Sequence, residues 1–317
     1  MRQGRGGKGI KKGPRKPLEP SHEFKTLHSQ ATLAFLDHDY DTAEDYVQEA
    51  IRSNPEMFSA HALLSEIHLA KGDNDRALTA LFHGAHTRPR DTEVWIKVAE
   101  LILERAGDDR LSGIRDAIYC YNRVIGVDPT QVEARYRRAA LNLEFGHKGK
   151  AAYEYERLLK LLPHDTTVLR HIAEVFIDMG DTERAISYFE EAIAHYQTVE
   201  PYAAKSFTWS DVNIYAELFS YSDHPSRGVA KLKSVSRWLL GRGQETFWDS
   251  YNHDDREFDA DDQPRRKEVP EFICGRYRRS SYGEGLPLEL RVKLGILRLK
   301  SENLEFKEVM VILSTNI

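Results

Sequence analysis

Cysteine is nearly absent from this sequence. Cys120 and Cys274 are the two present in 317 residues. That is too few for a disulfide framework and fits a reducing compartment. Long apolar runs are missing too. No stretch approaches the roughly 18 apolar residues a membrane-spanning helix needs, so no membrane association is expected. The N-terminus lacks the apolar segment of a secretory signal. Reactive signatures are also lacking. Gly7-Lys8-Gly9 and Lys12-Gly13 have neither the spacing nor the following hydroxyl of a phosphate-binding loop, and no Gly-x-Ser-x-Gly elbow occurs. The thirteen histidines are scattered. His83 and His86 are placed to share a helix face, as metal ligands sometimes do, but no cysteine stands near them. Cys120, between Tyr119 and Tyr121, reads as a small buried thiol rather than a nucleophile. These absences predict a non-enzymatic protein with no cofactor, no metal and no small-molecule substrate.

Acidic residues are missing from positions 1–17, which hold Arg2, Arg5, Lys8, Lys11, Lys12, Arg15 and Lys16. The whole chain carries −5, so the other 300 residues carry −12. A basic tail on an acidic body suggests weak, non-specific DNA contact or a nuclear-import signal at those seven cations. Rich in Gly and Pro, residues 1–20 cannot bury an apolar face and are expected to be disordered.

What is present is a period. Ala43, Ala77, Ala117, Ala151 and Ala185 recur at gaps of 34, 40, 34 and 34 residues. Pro55, Pro89, Pro129 and Pro163 keep gaps of 34, 40 and 34, each twelve residues after its alanine. Two markers sharing one period and one six-residue lapse predict the helix–turn–helix tetratricopeptide repeat. The fold class is then all-α, a right-handed superhelix of stacked tetratricopeptide helix–turn–helix repeats. The small residues let paired helices approach closely, larger residues such as Leu27 and Val47 fill the seam, and each proline ends its unit.

The expected organisation follows. Residues 1–20 are the basic tail, and 21–242 hold repeats 1–6, with Trp209 opening the sixth. The six extra residues of repeat three are expected in a turn around Ala106–Ile114. Residues 243–286, with acids from Asp254 to Asp262 and then Arg265, Arg266 and Lys267, read as a charged insertion or linker, either disordered or docked. Residues 287–317 begin a seventh repeat that the chain end truncates, as in a piece of a longer array.

In this repeat, certain first-helix positions face the concave groove. Reading those seats places Lys25 and His28 in repeat one and Glu66 in repeat two. Repeat three adds Glu93, Glu100 and Glu104, and repeat four adds Glu133, Tyr136 and Glu144. Repeat five supplies Arg170, Glu174 and Asp178, and repeat six Asn213 and Glu217. Beyond repeat one the lining is acidic, which predicts a basic, partly disordered partner. A chaperone adaptor, which would grip an acidic tail, is disfavoured because Glu93 would repel a carboxylate.

Several stretches carry a further likeness. They are Gly13-Pro-Arg-Lys-Pro-Leu-Glu-Pro20, the lapse in repeat three, Tyr119-Cys-Tyr-Asn-Arg123, Trp209, and Ser236-Arg-Trp-Leu-Leu-Gly-Arg242. Together they resemble the N-terminal repeat array of the tetratricopeptide subunit of RNA polymerase III transcription factor IIIC. The resemblance implies a nuclear scaffold in a DNA-binding complex. It also implies partnership with other transcription factor IIIC subunits and with the TFIIB-related and SANT-domain subunits of the initiation factor IIIB, which the scaffold recruits. It assigns no individual contact residue. From the residues alone two rivals stay open: a scaffold of another assembly, such as a ubiquitin ligase or RNA-processing complex, and the substrate-recruiting arm of an enzyme.

Overall fold

The computed structural model describes residues 19–105, 107, 109–199, 204–246, 249 and 285–301. The seven cations of the basic tail, most of the charged stretch 243–286 and residues 302–317 lie outside them. The described residues form thirteen α-helices and no strand. Two compact units divide the chain, Met1–Ala134 and Arg135–Ile317.

The first unit contains three hairpins. They are α1 (His22–Leu36) with α2 (Tyr40–Ser53), α3 (Phe58–Ala70) with α4 (Asn74–Thr87), and α5 (Thr92–Arg105) with α6 (Arg110–Val127). α2 packs on α3, and α4 on α5. α7 (Val132–Glu144) crosses the boundary between the units. The second unit continues with α8 (Lys148–Leu161), α9 (Thr166–Met179), α10 (Thr182–Thr198), α11 (Trp209–Ser220), α12 (Pro225–Leu239) and α13 (Leu288–Ser301). There α9 packs between α8 and α10, α11 pairs with α12, and α13 rests on both.

Local chemistry explains the boundaries. Asp39, Asp73, Asp109 and Asp165 each accept a backbone N–H three residues on, at 2.9–3.3 Å, satisfying a free donor at a helix start. Positive φ falls on the same beat as the alanines, at His38, Gly72, Gly146 and Gly180. At these turns the chain must reverse within about three residues, which needs the left-handed conformation that glycine adopts most readily. Pro55, Pro89, Pro129 and Pro163 each stand two residues beyond a helix end.

The repeat markers are the core. Ala43, Ala77, Ala117, Ala151 and Ala185 are all 0% exposed. The sixth-repeat seats Val212, Tyr215, Ala216, Phe219, Leu232 and Val235 are buried as well. Two helix crossings go further and use glycine. A Cβ on Gly228 would lie 2.7 Å from both Cβ and Cγ of Phe219, and one on Gly84 would lie 2.9 Å from Cβ of His61.

Two expectations change. The insertion in repeat three is not all turn: α6 begins at Arg110 and runs 18 residues, against 14 in α2, α4 and α8. Most of the added length becomes an extra helical turn, because Leu111 to Ile114 continue a helical pattern that buries Gly113 and Ile114. The start of 243–286 is also packed. Glu245 is buried and grips Arg242 through two hydrogen bonds of 2.8 and 2.6 Å, and Asp249 meets the buried Arg237 at 2.5 Å. Of the remaining stretch, residues 247–248 and 250–284 lie outside the described residues.

A charged triad joins α7 to α8. Glu154 accepts from Arg135 at 2.9 Å and contacts Arg138 at 2.5 Å, and the Glu154 side chain is 5% exposed. One anion between two guanidiniums satisfies charges that would be costly to bury alone.

Two predictions follow from this packing. G228A and G84A should each destabilise, by about 1–3 kcal/mol from overpacking less about 1 kcal/mol of helix propensity. G149A and G126A, where an added Cβ meets nothing within 4 Å, should stabilise by about 0.5–1 kcal/mol. Thermal midpoints of the four variants check the opposite signs. E154Q leaves the buried Arg135 and the half-buried Arg138 without their carboxylate and should cost about 3–5 kcal/mol, seen as a lower denaturation midpoint; an unchanged midpoint would mean the arginines reach water.

Candidate partner-binding surface

The first unit presents an acidic stripe. On α5, Val94, Trp95, Val98, Ala99 and Ile102 turn inward and are buried. Glu93, Lys97, Glu100 and Glu104, spaced by three and four residues, therefore share the opposite face, and all are exposed. Glu66 is exposed on α3 between buried Ser65 and Ile67. Among the described residues none of Glu66, Glu93, Glu100 and Glu104 is in an ion pair. On α1, Lys25 is exposed, and His28 is half-buried with its ring stacked on Phe24 at 5.5 Å. Glu133 is exposed near the start of α7.

The second unit treats its seats differently. Tyr136 is half-buried, its ring edge-on to Tyr155 at 6.2 Å and His171 at 6.0 Å. Burial, with Glu174 adding to it, pushes the Tyr155 hydroxyl above its ordinary pKa. Glu144 and Glu174 are exposed, and Glu174 lies 3.7 Å from His171 Nδ1. Four further seats are engaged within the chain. Arg170 Nε donates to Asp211 at 2.8 Å, and that bond holds its guanidinium above the ordinary pKa. Asp211 is 1% exposed and also accepts from the Thr208 N–H and hydroxyl, each at 2.8 Å. Asp178 pairs with Lys148 at 3.0 Å. Asn213 donates to Glu289 at 3.1 Å, and Glu217 pairs with Lys293 at 3.0 Å, both from α13.

Arg170, Asp178, Asn213 and Glu217, read from the sequence as groove seats, are thus held by side chains of the same chain. Helical register places a residue on a face, but it does not reveal a partner 76 residues away in the chain, as Glu289 is from Asn213. The buried role of Asp211 did have a local signal: Thr208 and Asp211 stand at capping-box spacing and close the box at the start of α11.

Cys120 and His86 are packed among other side chains. Cys120 is buried, and burial pushes its thiol up to about 12, far from the reactive thiolate range. His86 belongs to an aromatic cluster, with ring centroids 5.0 Å from Phe82 and 5.1 Å from Trp95. Burial, then the charges of Arg123 and His83, draw its pKa down. Among the described residues no three His, Cys, Asp or Glu side chains gather as metal ligands would, and no helix is long and apolar enough to cross a membrane.

Comparison with known proteins finds the same kind of repeat. The tetratricopeptide-repeat family profile matches residues 34–101, and a second tetratricopeptide-repeat profile matches residues 170–194. The chain is 30% identical over 316 residues to transcription factor tau subunit sfc4 of Schizosaccharomyces pombe, covering 96% of this chain and 30% of that protein. It is 28% identical over 338 residues to the transcription factor tau 131 kDa subunit of Saccharomyces cerevisiae, covering 90% and 32%. Against general transcription factor 3C polypeptide 3 of Homo sapiens it is 29% identical over 288 residues, covering 89% and 29%. The chain thus spans about a third of the length of the curated relatives it matches.

The burial of Cys120 is open to direct test. In a C274S background, a thiol reagent at neutral pH should label the folded protein at least about a hundredfold more slowly than the denatured protein, since burial both raises the pKa and blocks access. Equal rates would place the thiol at the surface.

Proposed function

From a tetratricopeptide-repeat chain that resembles transcription factor IIIC subunits along about nine-tenths of its length, we infer a non-enzymatic scaffold in the nucleus. It serves a general transcription factor for RNA polymerase III. The repeat array holds neighbouring subunits of that factor and recruits the initiation factor IIIB through its TFIIB-related and SANT-domain subunits. The likeness to three transcription-factor subunits carries this reading. The exposed carboxylates of α5 support that helix as the landing site of a basic partner.

The physics of that landing is simple. Glu93, Glu100 and Glu104 are exposed carboxylates on a rigid helix whose other face is locked in the core. Among the described residues none of the three is in an ion pair, and with Lys97 on the same face the stripe keeps a net charge of −2. A flexible basic segment would be drawn to this field, which speeds encounter and rejects acidic competitors. Attraction of this kind weakens as salt rises. The tail cations from Arg2 to Lys16 would add sequence-independent contact with nearby DNA phosphates.

The test is a binding measurement with the full chain. The triple variant E93K/E100K/E104K should keep the wild-type helix content and thermal midpoint. It should bind the TFIIB-related subunit at least about tenfold more weakly and lose the salt dependence of the wild type. Unchanged affinity would remove the stripe from the interface. Failure of the wild-type chain to bind either initiation-factor subunit, alongside capture of components of a different assembly, would favour the rival scaffold reading.

A further inference from the structure

A pocket of about 400 Å3 opens between α2, α3 and α4, and none of the groove seats read from the sequence lines it. Its volume lies in the range that accommodates ligand groups or the side chains of a bound peptide.

Repeat register explains why it exists. One period of 34 residues carries His61 onto Trp95 and His68 onto Ile102. The equivalence is structural: His61 Nε2 lies 2.9 Å from Pro55 O, as the Trp95 indole N–H donates to Pro89 O at 3.3 Å. A carbonyl only accepts, so His61 holds its proton on Nε2. In repeat three the two seats carry a fully buried indole and a buried isoleucine, which fill the seam. In repeat two they carry two smaller imidazoles, and the space beside them stays open.

The pocket has charge of one sign. Exposed Arg52, Arg76 and His83 line it along with His61 and His68, and no carboxylate does. Arg76 shares its charge with its own helix cap, Asp73, at 3.4 Å. Arg52 is in no ion pair among the described residues. Between these cations the wall is apolar, formed by Ile51, Leu64 and Ala80. An apolar wall flanked by two guanidiniums suits a ligand with the inverse pattern.

We propose that this pocket binds an acidic peptide segment of a partner protein, with one apolar side chain against Ile51 and Leu64 and flanking carboxylates on Arg52 and Arg76. Free phosphate or a nucleic-acid backbone would use the cations and leave the apolar wall bare, so the peptide accounts for more of the site. The surface is opposite in sign to the α5 stripe and is independent of it, so one chain would engage partners of both charges.

Fluorescence anisotropy of the full chain tests this with a labelled short peptide of Asp and Glu around one central Leu. Replacing the Leu by Ser, or the acids by their amides, should weaken binding about tenfold or more. R52E/R76E should do the same while keeping the wild-type helix content. H61W/H68I, which copies repeat three, should abolish binding while raising the midpoint, because filling the pocket extends the core. If that variant misfolds, T79F at the mouth blocks entry without touching the core and should likewise abolish binding. The proposal is overturned if the Ser peptide binds as well as the Leu peptide, or if R52E/R76E binds normally. It also falls if a single-stranded oligonucleotide or inorganic phosphate displaces the peptide through the same arginines at lower concentration than the unlabelled peptide itself.

Discussion

Close approach of paired helices is the constraint on which the rest of the molecule depends. A tetratricopeptide hairpin has no thick core; each helix buries a narrow stripe against its partner and its neighbour. The stripe closes only where side chains at the crossing are small. Ala43, Ala77, Ala117, Ala151 and Ala185 meet that need in five repeats, each with no exposed surface. Gly228 meets it in the sixth, where Phe219 comes too near for even a methyl group. Once the crossing is set, the larger seats follow: Val47, Trp95, Phe176 and Phe219 fill the space that the small residues leave.

Charge in this fold has two fates, and geometry decides between them. Carboxylates whose helix face meets another helix are taken into the structure. Glu154 sits between two arginines, Asp211 caps α11 while holding Arg170, and Glu217 binds Lys293 of α13. Carboxylates on a face that meets none stay in water, as Glu93, Glu100 and Glu104 do. Glu154 and Asp211 stabilise chiefly because removing a partner would strand a buried ion, whereas the partly exposed Glu217–Lys293 pair contributes little. Free ones contribute little to stability and produce a field, which is the property a recruiting surface needs. The two populations cannot be separated by composition, since both are Glu or Asp on amphipathic helices.

Variation between repeats then carries the functional individuality. The same seat holds His61 in repeat two, Trp95 in repeat three, Arg135 in repeat four and Leu169 in repeat five. Tryptophan and leucine close the seam, arginine closes it through Glu154, and histidine leaves a basic pocket. A stacked array tolerates such changes because each seam contacts only its neighbours, so a local loss of packing stays local. Specialised surfaces can therefore accumulate without changing the fold.

The sequence by itself determined the repeat and the helix pairs, and most helix boundaries apart from the start of α6. Those features rest on short-range chemistry: small residues at a fixed period, Asp caps three residues before their donors, and prolines two residues past helix ends. It likewise placed Glu93, Glu100 and Glu104 on one helix face, since helical spacing alone fixes that. Tertiary structure decided what lay beyond one hairpin. It turned most of the repeat-three insertion into an added helical turn, engaged Asn213 and Glu217 with α13, and opened the pocket beside His61 and His68. Each outcome depends on which side chain from a distant segment reaches a given seat, and a periodicity repeated every 34 residues is the same whether that seat is filled, paired or empty.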